Sequence, residues 1–220
     1  MIWLLFRLQF ENIKDLYHFN GFSGSENMKD AYLQRQQQQE YFQIRDHAYA
    51  DAVDPRVGFL MLHFPAPHMY AIYNRWRRDF TLDPTLDYLD NLALVDRTVG
   101  ELRAKLEAAG LWDQTSILIT ADHGFRPDMW RGHYGWTQNM ERISQHASQQ
   151  VPFILKLAGK QDHIVVDRPF SNIVSSDVAT AVLSGQISTA AQAAAWIERR
   201  AANSETSAKQ SAAAGPSAAR

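Results

Sequence analysis

The chain has 220 residues, of which 45% are apolar and 21% charged, with a formal net charge of −2 and no cysteine. This globular composition excludes a collagen, a coiled-coil rod and a wholly disordered chain. The near-neutral charge argues against nucleic acid as a partner, and the lack of cysteine excludes disulfides, thiolate zinc sites and cysteine nucleophiles.

Residues 1 to 56 are predicted to form a helical amino-terminal segment. Residues 1 to 10 are mostly apolar, but this run is much shorter than the ~20 residues that span a membrane. It lacks the basic start and cleavage site of a signal peptide. We therefore expect a strand or buried segment, no membrane span, and a cytoplasmic location by default. Residues 28 to 52 contain neither Gly nor Pro and favour a long helix, with the polar run at residues 36 to 39 facing solvent.

The middle of the chain predicts a strand, a helix and a second strand. Residues 57 to 64 and residues 115 to 120 are short apolar runs, typical of buried strands in a parallel sheet. Between them, Asp83 and Pro84 indicate the start of a helix. Its apolar residues recur every three or four positions until Gly110, a typical helix stop. The three elements predict a right-handed βαβ unit.

The remaining residues complete a domain predicted to span residues 57 to 202. Residues 151 to 157 indicate a third strand, and residues 177 to 183 and 188 to 202 indicate helices. From residue 203 to residue 220 the composition shifts to Ala, Ser, Gly and Pro, which predicts a disordered tail.

Polar residues fall where two of the predicted strands end. His63 and His68 bracket the end of the first strand, and Asp122 and His123 follow the second. In an open parallel sheet, ligands bind beyond the carboxyl ends of the strands. An Asp and a His offer one cation a hard oxygen and an imidazole, which suits Zn²⁺ or Mn²⁺. An isolated Asp-His-Gly is more often a simple turn, but its place after a buried strand favours a metal site.

Several motifs, in order, resemble sulfatase-like enzymes of the alkaline phosphatase superfamily. Residues 62 to 68 resemble the family's strand that ends in a Pro-His motif, and residues 88 to 110 resemble its helix. Residues 111 to 124 resemble the following strand and its Asp-His-Gly sequence. Residues 151 to 156 resemble the strand after the active-site loop. The resemblance covers residues 57 to 185.

The resemblance implies an α/β/α sandwich with a mainly parallel sheet. It also implies hydrolysis of a small-molecule sulfate or phosphate ester with a divalent metal ion (Ca, Mn, Zn or Mg). Asp122 and His123 match metal ligands. His68 matches a histidine that contacts the substrate or protonates the leaving group. His133 lies in the loop where the family often places another Lys or His.

The sequence departs from the family in its amino-terminal part. Members usually carry further metal-binding acids on their first strand, followed by a Cys/Ser-x-Pro-x-Arg motif, and the sequence contains no such motif. We therefore expect an incomplete sandwich, equivalent to the carboxyl-side half of such an enzyme. A half-sheet would self-associate or bind a complementing amino-terminal half.

Two alternatives to sulfate ester hydrolysis remain open at this stage. The missing motif is compatible with a non-catalytic remnant that binds an anion or a partner chain. The Asp-His pair is shared with phosphodiesterases and phosphotransferases of the same superfamily.

Overall fold

The computed structural model describes residues 26 to 133, 135 to 147, 149 to 159 and 162 to 213. The predicted strand or buried segment at residues 1 to 10 lies outside this part. The helices are α1 (Glu26–Ala52), α2 (Tyr88–Ala108), α3 (Pro127–Trp130), α4 (Gln138–Ser144), α5 (Val174–Leu183) and α6 (Ala190–Ala213), with a 3₁₀ turn at Trp112–Gln114. The strands are β1 (Tyr73–Asn74), β2 (Asp79–Phe80), β3 (Ile117–Thr120) and β4 (Phe153–Lys156).

The chain divides into two compact units, each assembled from separate segments. Within the described residues, the first unit comprises positions up to 48, 61 to 98 and 130 to 137. The second unit comprises positions 49 to 60, 99 to 129 and 138 onward. The domain boundaries predicted at residues 56 and 202 stay predictions.

The core of the first unit is aromatic. Tyr41 of α1 and Leu94 of α2 are buried together with Ile72 and Tyr73. Strands β1 and β2 pair antiparallel, with Tyr73 opposite Phe80, and the two rings meet edge to face with centroids 5.5 Å apart. This hairpin lies outside the strands predicted from the sequence. Aromatic contacts of this kind add to the stability gained from burial.

The first turn of α2 carries two buried carboxylates. Nη1 of Arg75 lies 2.5 Å from Oδ1 of Asp87 and 3.4 Å from Oδ2 of Asp90. The backbone N–H of Asp90 donates to Asp87, and that of Asp87 donates to Asp90, which is the reciprocal pattern of a capping box. The prediction that Asp83 caps this helix is wrong: Asp83 accepts from Thr85 instead. The helix begins later because Asp87 and Asp90 satisfy its first N–H groups.

Burial raises the pKa of Asp90, although the neighbouring Arg75 guanidinium acts in the opposite direction. Removing water from a carboxylate disfavours its charged form. The guanidinium is therefore needed to keep two buried acids in the folded state.

The second unit contains an antiparallel strand pair. Strand β3 pairs with β4, with Ile117 opposite Lys156 and Thr120 opposite Phe153. The strands predicted at residues 115 to 120 and 151 to 157 are confirmed, with shorter bounds. Beside this pair, a cluster of buried side chains links β4 to the two carboxyl-terminal helices; it consists of Leu157, Ala181, Ile187 and Ala193.

The predicted strand at residues 57 to 64 is wrong. These residues are in no strand, and the side chains of Phe59 and Met61 are 52% and 64% exposed. A parallel strand is stable only when it pairs with a neighbour and is covered on both faces. Within the described residues there are two sheets, each of two antiparallel strands. The βαβ unit and the parallel sheet of the expected α/β/α sandwich are therefore not formed there, although helices and strands are both present.

The helical predictions are largely confirmed. Helix α1 covers the predicted residues 28 to 52, and α2 stops before Gly110, whose φ of +70° favours glycine. Helix α6 runs to Ala213, past the start of the predicted disordered tail at residue 203, because Ala, Glu, Gln and Lys favour helix. Among the described residues, no helix has the length and apolarity of a transmembrane segment.

Replacing Arg75 with Met should destabilise the protein by about 3 to 5 kcal/mol, because two buried carboxylates lose their cation. Urea unfolding at neutral pH measures the loss. The loss should shrink as the pH is lowered, because burial raises the pKa of Asp90 and protonation of this carboxylate removes a charge that Arg75 compensates.

Arg77→Met is the matched control. Arg77 pairs with Asp79 at 3.4 Å, and both side chains are more than half exposed. An exposed pair contributes at most about 1 kcal/mol. Equal losses in the two variants would contradict the role given to Arg75.

Candidate functional site

Asp122 and His123 lie on a turn immediately beyond β3. Nδ1 of His123 lies 2.8 Å from the carbonyl oxygen of Gly124. In the neutral ring Nδ1 therefore carries the proton, and Nε2 carries the lone pair that a metal ion requires. Nε2 is 3.8 Å from Oδ1 of Asp122, close enough for both to contact one cation. The Asp122 side chain is 72% exposed and that of His123 is 27% exposed.

Asn172, just before α5, holds the strand end that leads into this turn. Its Nδ2 donates to the carbonyl oxygen of Ala121 at 2.7 Å. Its Oδ1 accepts from the hydroxyls of Thr120 at 2.9 Å and Ser175 at 2.6 Å. The backbone before Asp122 is thus fixed by one amide side chain. Sequence analysis missed Asn172, because its partners at the end of β3 are far away along the chain.

The donor types of Asp122 and His123 fit a divalent cation. Carboxylate oxygen and imidazole nitrogen are ordinary ligands of Zn²⁺ and Mn²⁺. However, the described part of the chain contains no group of three or more His, Cys, Asp or Glu side chains that could hold one metal ion. Protein-bound cations take four or more ligands. The turn therefore offers two ligands of a larger set.

His68 lies in a loop of the first unit whose backbone accepts hydrogen bonds from side chains of α1 and α2. Its carbonyl oxygen accepts from Nε2 of Gln37 at 2.9 Å and from Nδ2 of Asn91 at 2.7 Å. Its backbone N–H donates to Pro65 at 2.9 Å. The side chain is exposed, and Nδ1 lies 3.0 Å from the carbonyl oxygen of Met69. The expectation that residues 36 to 39 only face solvent is wrong for Gln37, because its amide finds backbone partners in this loop.

His133 lies in the first unit against Asp30 and Tyr70. Its Nδ1 is 3.5 Å from Oδ2 of Asp30, and its ring meets that of Tyr70 edge to face at 5.7 Å. Nearby, Gly135 passes the backbone of Leu86 so closely that an added Cβ would lie 2.0 Å from its carbonyl oxygen. Only glycine fits there. His133 also lines a cavity of the first unit, in a segment held close to the start of α2.

Mixed helices and strands, with an Asp-His turn at a strand end, are the features expected of a hydrolase of the alkaline phosphatase superfamily. The family model described as Sulfatase matches residues 14–184. The chain belongs to the sulfatase family, which confirms the resemblance found in the sequence. No curated protein and no solved structure matches the chain.

Replacing Asn172 with Ala should loosen the turn that carries Asp122 and His123. Three hydrogen bonds are lost, two of them to the end of β3, so we expect hydrogen exchange of the amides at residues 121 to 124 to rise roughly tenfold. Exchange measured by mass spectrometry tests this.

Asn139→Ala serves as the control, since Asn139 is exposed on α4 and its side chain bonds to Arg142. This control should leave exchange at the turn unchanged. The account of Asn172 fails if its replacement leaves that exchange at the wild-type rate.

Proposed function

We propose that the chain hydrolyses small-molecule sulfate or phosphate esters in a metal-dependent reaction, with Asp122 and His123 as metal ligands. The single observation that carries this proposal is the Asp-His turn at the end of β3 in a member of the sulfatase family. The contact from Nδ1 of His123 to Gly124 supports a metal-binding role, because it orients the ring and sets its tautomer.

The two side chains would hold a divalent cation (Ca, Mn, Zn or Mg) by one carboxylate oxygen and by Nε2. When bound, such a cation stabilises negative charge on the ester oxygens and activates a nucleophile. The chain's own contribution is the fixed position of the two ligands. Asn172 secures the backbone before Asp122, and Gly124 secures the ring after it.

His68 is proposed to give a proton to the leaving group, the role that the family resemblance implies. Its exposed ring and its anchored backbone suit a side chain that meets a ligand from solvent. His133 is proposed as a further substrate contact on the same resemblance. Its Nδ1 lies 3.5 Å from Oδ2 of Asp30.

A second candidate function is binding of an anionic ester without hydrolysis. The sequence contains no Cys/Ser-x-Pro-x-Arg motif, and the family's formylglycine nucleophile is formed in that motif. A phosphodiesterase or phosphotransferase activity is the third alternative, since it uses the same Asp-His pair.

Hydrolysis of nitrophenyl sulfate, nitrophenyl phosphate and bis(nitrophenyl) phosphate, with each metal added in turn, tests the proposal. We expect turnover of at least one ester. Asp122→Ala should lower the rate by about 100-fold or more, because a metal ligand is lost. The control is Asp113→Ala, an exposed acid in the turn before β3, which should retain the wild-type rate.

His68→Gln tests the proton transfer separately. Loss of a general acid costs roughly 100-fold or more with a poor leaving group. With nitrophenol the loss should be much smaller, because this leaving group needs little protonation. Equal losses of rate for poor leaving groups and for nitrophenol would contradict the role of His68.

Absence of ester turnover together with saturable sulfate binding would support the second candidate function. Absence of both turnover and sulfate binding would overturn the proposed function.

A further inference from the structure

The first unit contains a cavity of about 280 Å³. Its polar wall is formed by Asp30, Gln34, Tyr70 and His133, and its apolar wall includes Met69, Leu82, Leu86 and Trp130. All of these residues belong to the first unit. A volume of this order suits a small organic molecule.

Gln34 is the first indication that the cavity receives a ligand. The residue is only 4% exposed, and its Nε2 donates to the carbonyl oxygens of Ala71 at 2.5 Å and Asp83 at 3.1 Å. These two acceptors fix the orientation of the amide. Its Oε1 accepts no hydrogen bond from the described residues. Among those residues, no side-chain N or O atom is fully buried without a hydrogen-bond partner. Oε1 is therefore not fully buried, and it faces the cavity that Gln34 lines.

Asp30 places a second acceptor on the same wall, one turn before Gln34 on α1. Its Oδ1 accepts from the Tyr70 hydroxyl at 2.9 Å, and its Oδ2 is 3.5 Å from Nδ1 of His133. Burial and the contact with Asp30 raise the pKa of Tyr70, so the phenol stays neutral and donates. The negative charge of the wall therefore resides on Asp30.

The aromatic and aliphatic residues that line the cavity indicate what the rest of the ligand is like. Trp130 is almost fully buried, and with Tyr70 it gives the cavity two aromatic side chains beside a carboxylate. Aromatic faces and carboxylates both attract cations. The aliphatic side chains of Met69, Leu82 and Leu86 suit a hydrocarbon body.

We propose that this cavity binds a small organic ammonium ion, with its N–H groups donating to Asp30 and Gln34 and its apolar body against Trp130. An anion is disfavoured by the Asp30 carboxylate, and a neutral hydrocarbon would leave the Gln34 oxygen without a donor. The inference does not depend on hydrolysis at Asp122 and His123, and it is an alternative to the ester contact proposed for His133, which lies on the same wall.

Calorimetric titration of the full chain with phenethylamine and with phenethyl alcohol tests the charge requirement. At about pH 8, where an ordinary histidine is neutral, the amine should bind saturably and at least about tenfold more tightly than the alcohol. Nα-acetyl-lysine amide carries the same ammonium group on a flexible chain. Tighter binding of phenethylamine identifies the ligand as a free amine, and tighter binding of Nα-acetyl-lysine amide identifies it as a lysine side chain. If neither cation binds more tightly than the alcohol, the proposal is overturned.

Asp30→Asn tests the location. It should weaken amine binding about tenfold or more, while Asp46→Asn, an exposed acid on the same helix, should bind the amine like the wild type. A shift of the Trp130 indole signal on adding amine to the wild type, assigned with Trp130→Phe, provides a readout that does not depend on the folding of Asp30→Asn. Undiminished binding to Asp30→Asn, or an unmoved Trp130 signal in the wild type, would overturn the assignment.

Discussion

Buried polar side chains in the first turn of α2 organise the first unit. Arg75 pairs with both Asp87 and Asp90, and the residue after Asp90, Asn91, is fully buried. Oδ1 of Asn91 accepts from the N–H of Ile72, and its Nδ2 donates to the carbonyl oxygens of His68 and Tyr70. One helical turn therefore fixes the segment that carries a candidate catalytic histidine and one wall of the cavity. Because unpaired buried polar groups are costly, this segment has little freedom to rearrange.

In the second unit, too, a side-chain amide holds the segment next to the candidate site residues. Asn172 bonds to Thr120 and Ala121, so the turn with Asp122 and His123 is anchored immediately before Asp122. In both units a long-range amide contact, rather than regular secondary structure, positions the candidate site residues. Functional residues on loops that a scaffold holds in place are a general feature of enzymes. Both anchored segments lie within residues 14–184, the part of the chain that matches the sulfatase family model.

Local features of the fold could be predicted from the sequence, and pairings over long distances could not. The apolar stripe of α2 and its stop at Gly110 are encoded within a few residues, as is the turn after β3. An apolar run does not specify its partner, so residues 57 to 64 appeared to be a strand although no strand in the described part of the chain pairs with them. Gln34 and Asn172 escaped prediction for the same reason, since each bonds to residues far away along the chain. The Asp-His pair could be proposed as candidate metal ligands from the sequence because its two members are adjacent.

The proposed divalent metal site at Asp122 and His123 can be tested without an assumed substrate. The measurement is equilibrium dialysis against Mn²⁺ or Zn²⁺, with bound metal quantified by mass spectrometry. The account predicts saturable, stoichiometric binding by the wild-type chain and binding at least about tenfold weaker in His123→Ala, because half of the ligand pair is removed. Saturable binding of equal strength in the two proteins, or no binding by the wild type, would contradict it.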